Sequence, residues 1–357
     1  MEHGEVYYTS LYVLTYPRNN NSVRDTSAVA LSYFQKAATY YQQAQYVEAI
    51  QHYLSGLKYD KSRYHIYADL AKAYEMVGKW EQALVYLDIA LQMCPDSPTV
   101  LRRQTRIKEE KAFYQTLLSE IGLEVSQPRE FAPCINTENS VRPQHIVEYK
   151  FFKLTVEPTV TPQTLWYICQ LIARVHDEVG SQLDCYPNRQ ICISIINSYD
   201  APTQTNLPKW ASGCYDGQIL LKYCADGEPE LGVLYSLIRH EWTHLLVELL
   251  TQGKCPIWFN EGLAHTIARP LLTYEKFALQ QAKENETLPT ISQLNQSFTN
   301  FTTSQRKIAY LQSAAIVTSL IEEGGFSSIR QFLSLIGNGI STEKALQKVY
   351  NKSILPN

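Results

Sequence analysis

Two histidines four residues apart, His240 and His244, enclose Glu241, Trp242 and Thr243 in a stretch whose apolar residues recur at helical spacing. Leu231, Leu234, Ile238, Leu245 and Leu249 predict a helix from about Glu230 to Leu250 with one buried side. Residues four apart on a helix are offset by only about 40°, so both imidazoles project from one face and can reach a single ion. Glu241 lies between them, close enough to act on a water at that ion. Two imidazoles and one carboxylate suit zinc, and catalysis needs its fourth position left open. Glu261 is the candidate third donor, seventeen positions after His244 in Pro256-Ile257-Trp258-Phe259-Asn260-Glu261-Gly262-Leu263-Ala264. That segment reads as a second, short helix stopped by Arg269-Pro270. The loop between the two helices is long enough to reverse the chain and return Glu261 beside the histidines.

The elements that must position this pair of helices read as a mixed α+β domain over residues 149–357. Tyr149 to Val156 alternates like a strand, and Thr161-Pro162 offers a cap and first-turn proline for a helix running to about Val179. Gln190 to Asn197 is a β-branched run expected of a buried strand. Asp216-Gly217 is a tight-turn pair ahead of strand-like Gln218-Ile219-Leu220-Leu221. Gly324-Gly325 reads as a helix stop, with Ser327 and Ser341 as caps of the helices that follow.

The N-terminal third is organised differently. Residues 1–29 end in an Asn-rich polar stretch without sustained helical period and read as a mobile tail. From about Ala30 a helical pattern repeats after 34 residues: Ala37, Tyr40, Ala49, Tyr53 and Gly56 are followed by Ala71, Tyr74, Ala83, Leu87 and Ala90. Tyr46 and Trp80 match at the same offset, Pro95 closes the second unit, and Pro98 to about Ile121 reads as a capping helix. These positions resemble the tetratricopeptide repeat, a helix-turn-helix that implies an all-α segment over 30–122 and a surface that can hold a partner protein or only brace the next domain. Residues 123–148, with Pro128, Pro133 and Pro143, read as a linker.

The His-Glu-Trp-Thr-His motif, with the downstream Trp258-x-x-Glu261-Gly262-x-Ala264 segment, is similar to the gluzincin peptidases, in particular to a peptidase MA-like group that often occurs with tetratricopeptide repeats. The likeness extends over about residues 149–355, including Ala211-Ser212-Gly213-Cys214-Tyr215 and Ala309-Tyr310-Leu311-Gln312-Ser313. It implies a thermolysin-like (zincin) arrangement and one zinc ion held by His240, His244 and Glu261, with Glu241 as general base. Relatives supply an oxyanion donor from a Tyr or His well after the metal site; Tyr310 is the candidate here, the alternative reading being a core tyrosine. The strand around Gln218, Ile219 and Leu220, with Gly213 in the preceding strand, is the expected site for backbone pairing with an extended substrate. Asn260 and His265 are the candidates for orienting the ligands, His265 reading equally as a packed imidazole; relatives carry an acidic residue where this chain has His265, four positions after the ligand glutamate.

Composition narrows the alternatives. The chain has 357 residues, 45% hydrophobic and 19% charged, enough for two cores, and a formal net charge of -3 leaves no basic excess for a nucleic-acid partner. Glu2 and Glu5 stand where a signal peptide needs positive charge. The longest apolar stretch, Leu231 to Leu250, is interrupted by Arg239, His240, Glu241 and His244, so no membrane span is expected. Cys94, Cys134, Cys169, Cys185, Cys192, Cys214, Cys224 and Cys255 form no C-x-x-C pair. With Cys169 and Cys192 set among Ile and Leu, they read as free thiols of a cytoplasmic protein. His52, His65, His145 and His176 stand alone and read as surface or satisfied residues. Two functions follow: zinc-dependent hydrolysis of peptide bonds in a peptide or protein substrate, or a non-catalytic repeat adaptor whose second domain binds zinc structurally. Retention of Glu241, which structural zinc does not need, favours hydrolysis.

Overall fold

The computed structural model describes residues 21–43, 45–123, 134–136, 144–156, 160–197, 212–223 and 231–351. Five helices come first: α1 (Asn21–Gln42), α2 (Tyr46–Leu57), α3 (Tyr64–Met76), α4 (Trp80–Met93) and α5 (Pro98–Ile121). The helix α1 packs on α2, and α3 on α4. Ala37, Ala49, Ala71 and Ala83, all fully buried, let the helices approach closely while Tyr53, Trp80 and Leu87 fill the space between them. The expected tail boundary at residue 29 is corrected. The helix already runs from Asn21, ahead of the face that buries Ala30, Phe34 and Ala37. The rest of that tail, residues 1–20, lies outside the described residues.

The second core is built on a six-stranded sheet: β1 (Cys134–Asn136), β2 (Gln144–Tyr149), β3 (Phe152–Val156), β4 (Ile191–Asn197), β5 (Gly213–Tyr215) and β6 (Ile219–Tyr223), in the spatial order β1-β2-β3-β4-β6-β5. The strand β4 runs parallel to both β3 and β6, and the other pairings are antiparallel. Two expectations change here. Residues 123–148 are not wholly linker, since β1 and most of β2 fall within them and extend the sheet. Tyr149 to Val156 is not one strand: Tyr149 pairs with Phe152 across a hairpin in which Lys150 takes a left-handed conformation (φ 50°). The Asp216-Gly217 turn joins β5 to β6, with Gly217 at φ 98°.

Helix α6 (Pro162–Leu183) crosses from β3 to β4, which parallel pairing requires. Its start is capped by Thr161, whose side chain accepts the Thr164 amide, and Leu165, Ile168, Cys169 and Ile172 form its buried face. The metal-motif helix α7 (Leu231–Thr251), then α8 (Ile257–Ala268), α9 (Thr273–Glu284), the short α10 (Ile291–Leu294), α11 (Thr303–Gly337) and α12 (Thr342–Tyr350) complete the domain. Gly325 (φ 64°, ψ -177°) interrupts α11, and the Ser327 hydroxyl donates to the Gly324 carbonyl across that break instead of accepting an amide. Ser341 does cap α12, accepting the Lys344 amide at 3.5 Å. Cys169 is buried as expected, but Cys192 is exposed. Alternation along β4 turns Ile191 and Ile193 inward and Cys192 outward. Among the described residues no helix is long and apolar enough to cross a membrane.

Helices α8 and α11 cross most tightly at Gly262, where an added Cβ would lie 2.3 Å from the Ser313 carbonyl oxygen. The Thr266 hydroxyl donates to the Gly262 carbonyl beside this crossing. Because the obstacle is backbone and cannot rotate away, Gly262→Ala is expected to destabilise the domain by roughly 1–3 kcal/mol. Urea unfolding read by tryptophan fluorescence checks this, the expected sign being a lower midpoint at unchanged slope.

Candidate metal centre

Helix α7 presents its two faces unequally. Trp242, Leu245 and Leu246, fully buried, hold one side against the core, while His240 and His244 emerge half-buried from another. The chain then reverses through Gln252 and Gly253, both left-handed, and enters α8 after Pro256. Trp258, Phe259 and Leu263, fully buried, turn α8 so that Glu261 faces back toward α7.

The three side chains meet. Nε2 of His240 and Nε2 of His244 are 3.1 Å apart, and Oε2 of Glu261 lies 3.6 Å from the first and 3.5 Å from the second. Donors about 2.0–2.1 Å from a tetrahedral ion sit about 3.3 Å from one another, so this triangle has the size and donor chemistry that zinc requires. Among the described residues this is the cluster of His, Cys, Asp and Glu able to hold a metal ion. His244 Nδ1–H donates to Asn260 Oδ1 at 2.9 Å, which selects the tautomer whose Nε2 lone pair faces the cluster. Asn260 therefore lies beside His244, one of the three clustered side chains. His265 is not bonded to one: its Nδ1 is buried without a hydrogen-bond partner. Burial, reinforced by the neighbouring Arg269 charge, pulls His265 down to about 4, so it is neutral near pH 7.

The electrostatics follow from crowding. Burial works against the Glu261 carboxylate, yet His244 and His240 hold it well below the ordinary carboxylate range. Burial also works against a His244 cation, but the charge and hydrogen bond of Glu261 outweigh it and push His244 up to about 9. The Glu261 carboxylate thus draws positive charge to the imidazole beside it, a proton here competing for the place an ion would take. Glu241 is only 5% exposed, and burial raises its carboxyl above the ordinary value, with the two histidines opposing and Glu261 adding to the effect.

Two further sequence-derived candidates converge here. An added Cβ on Gly213 would lie 2.7 Å from Glu241 Oε1, so the bare backbone of β5 is what leaves Glu241 its place. Tyr310 on α11 is half-buried, in an edge contact with Phe298 at 5.0 Å, and is influenced by the charges of Glu261 and Glu241. Burial raises its phenol above the usual value first, and those carboxylates add to the rise. Its hydroxyl has no hydrogen-bond partner among the described residues.

Gln218, Ile219 and Leu220 do not line a free edge. Gln218 sits exposed in the turn, Ile219 is fully buried, and β6 is paired on both sides, with β4 and with β5. Among the described residues the outer strand on this side of the sheet is β5, Gly213–Tyr215. Strand order decides this, since the Asp216-Gly217 turn folds β5 back over the edge of β6 that β4 leaves open. The role of Gly262 at the α8–α11 crossing also escaped the sequence reading, although a glycine next to a ligand inside a helical segment was its signal.

Residues 224–355 match the family described as the Peptidase MA superfamily. The matched span holds all of α7 to α12, hence His240, Glu241, His244, Glu261 and Tyr310, but not the sheet. Residues 64–107 match the Tetratricopeptide repeat family, covering α3, α4 and the start of α5. The helical pair α1 and α2 lies outside that match. No curated protein matches the chain. The chain therefore joins a helical region that matches the Tetratricopeptide repeat to a C-terminal region that matches the Peptidase MA superfamily.

Asn260→Ala removes the acceptor that orients His244 and is expected to weaken zinc binding about 10- to 100-fold. Competition against a fluorescent chelator measures this, the fold being checked by circular dichroism.

Proposed function

We propose that this protein is a zinc-dependent peptidase of the gluzincin type, with His240, His244 and Glu261 as ligands and Glu241 as general base. The observation that carries the reading is the donor triangle closed by α7 and α8 with a buried carboxylate beside it, since a structural zinc site needs no Glu241. The Peptidase MA match over the same helices supports it.

Zinc held by the three ligands would supply Lewis acidity, polarising a substrate carbonyl and lowering the pKa of the hydrolytic water. Glu241 accepts the proton from that water as it attacks, and its raised pKa equips it to carry the proton to the departing amine. Tyr310, whose hydroxyl is otherwise unpartnered, donates to the carbonyl oxygen as negative charge develops there. The outer edge of β5 pairs with the extended substrate backbone and holds the scissile bond over Glu241. The repeat match supports a protein as substrate or partner.

Glu241→Gln is expected to retain one zinc per chain and lose at least about 1,000-fold in turnover, since proton transfer in both directions passes through this residue. His244→Ala is expected to lose zinc and activity together. Metal content by mass spectrometry and cleavage of a quenched peptide library, with and without chelator, test the pair. Cleavage by Glu241→Gln at the parental rate would refute the assignment, and a zinc-loaded parent inert toward the whole library would support the adaptor reading. Gly213→Ala is expected to keep zinc but displace Glu241, lowering kcat about 10-fold or more.

A further inference from the structure

The two cores meet along α5, where Tyr114 touches both. Tyr114, on α5, stacks its ring on Trp80 at 5.3 Å with 20° between planes, and Trp80 is buried in the repeat core. On its other side Tyr114 reaches α7. A Cβ added to Gly232 would lie 2.9 Å from both Tyr114 Cβ and the Tyr114 carbonyl oxygen, so the first turn of α7 is seated directly on α5. Val233, the next residue, packs against the repeat core rather than the sheet.

The Tyr114 hydroxyl faces two groups, Ser236 of α7 and Arg269 at the end of α8. Ser236 is buried and its hydroxyl donates to the Ala268 carbonyl at 3.4 Å, so α7 and α8 are joined at this point. Arg269 is fixed in turn by a two-pronged pairing with Glu275, at 2.7 and 2.8 Å. The same face of α5 holds the start of α9: Glu109 accepts the Thr273 amide at 2.8 Å, and Glu110 accepts the Tyr274 hydroxyl. Ser236 is one helical turn before His240, about 6 Å along the axis, and Arg269 is two turns after Glu261, about 12 Å. The helices bearing the three ligands are thus pinned to each other, and to the repeats, close to the metal cluster.

We propose that Tyr114 is a positioning residue of the metal centre, which makes the repeat segment part of that centre and not a detachable recruiting arm. The proposal rests on the zinc reading above. Its physical basis is tolerance: a ligand set works only when held to within about 0.5 Å, and a slip of α7 along α8 at Ser236 changes the sides of the donor triangle directly.

The test is zinc affinity of the full chain, with zinc ion as the probe in chelator competition, for the parent, Tyr114→Phe and Leu87→Val. Tyr114→Phe keeps the stack on Trp80 and the seat on Gly232 and removes only the hydroxyl. It is expected to raise the zinc Kd about 3- to 10-fold, less than loss of a group bonded directly to a ligand, with the melting temperature of the zinc-free protein nearly unchanged. Leu87→Val loosens the repeat core from within α4 and leaves the Tyr114 hydroxyl in place; it is expected to leave the Kd unchanged while lowering that melting temperature. Hydrogen exchange adds a second readout: zinc should slow exchange in α5 of the parent, and Tyr114→Phe should abolish this while zinc still protects α7. A parental Kd in Tyr114→Phe, an equal rise in Leu87→Val, or α5 amides indifferent to zinc in the parent overturns the inference alone. A parent that binds no zinc overturns the metal reading with it.

Discussion

The constraint on which this structure turns is the closure of α7 against α8 with one carboxylate and two imidazoles between them. Polar groups withdrawn from water are unfavourable unless they satisfy one another. Here the pairing is mutual: both histidines favour the Glu261 anion, and Glu261 raises the affinity of His244 for positive charge. The apolar halves of the helices, anchored by Trp242, Trp258, Phe259 and Leu263, supply the burial that holds this cluster together. Asn260 then settles which nitrogen of His244 looks inward. Each of these depends on the loop from Thr251 to Pro256 reversing the chain within a few residues.

Around that closure the fold divides its labour. The sheet supplies a short outer strand whose Gly213 leaves room for Glu241, and α11 brings Tyr310 to the same place while crossing α8 at Gly262. The family match begins just ahead of α7, so the proposed chemistry falls within the matched helices, whereas the strand proposed to hold substrate lies outside them. The helix α5 serves both cores. Its last turns stack on Trp80 and press on Gly232, so the repeat segment and the metal-motif helix share packing rather than a tether. Such shared packing suits a site whose ligands tolerate little movement, since a flexible connection would leave α7 held from one side only.

What could be read from the sequence alone followed from local geometry. Hydrogen bonding within a helix sets residues four apart on one face, so His240 and His244 were legible as a pair, and Trp258 to Ala264 as the carrier of Glu261. The 34-residue period, the Thr161 cap and the Asp216-Gly217 turn are local in the same sense. What only the tertiary structure decided was everything set by contacts between distant segments. Strand order placed β6 in the interior and β5 outside it, and pairing drew residues 134–136 and 144–149 out of an apparent linker. Alternation against a particular neighbour turned Cys192 outward. The choice of Asn260 over His265 as the partner of His244, the fit of Gly213 over Glu241, and the seat of α7 on Tyr114 came from helix crossings whose distances no spacing rule contains. A helix specifies its own faces through its backbone, but which face meets which neighbour is settled by the burial and close packing of the whole chain.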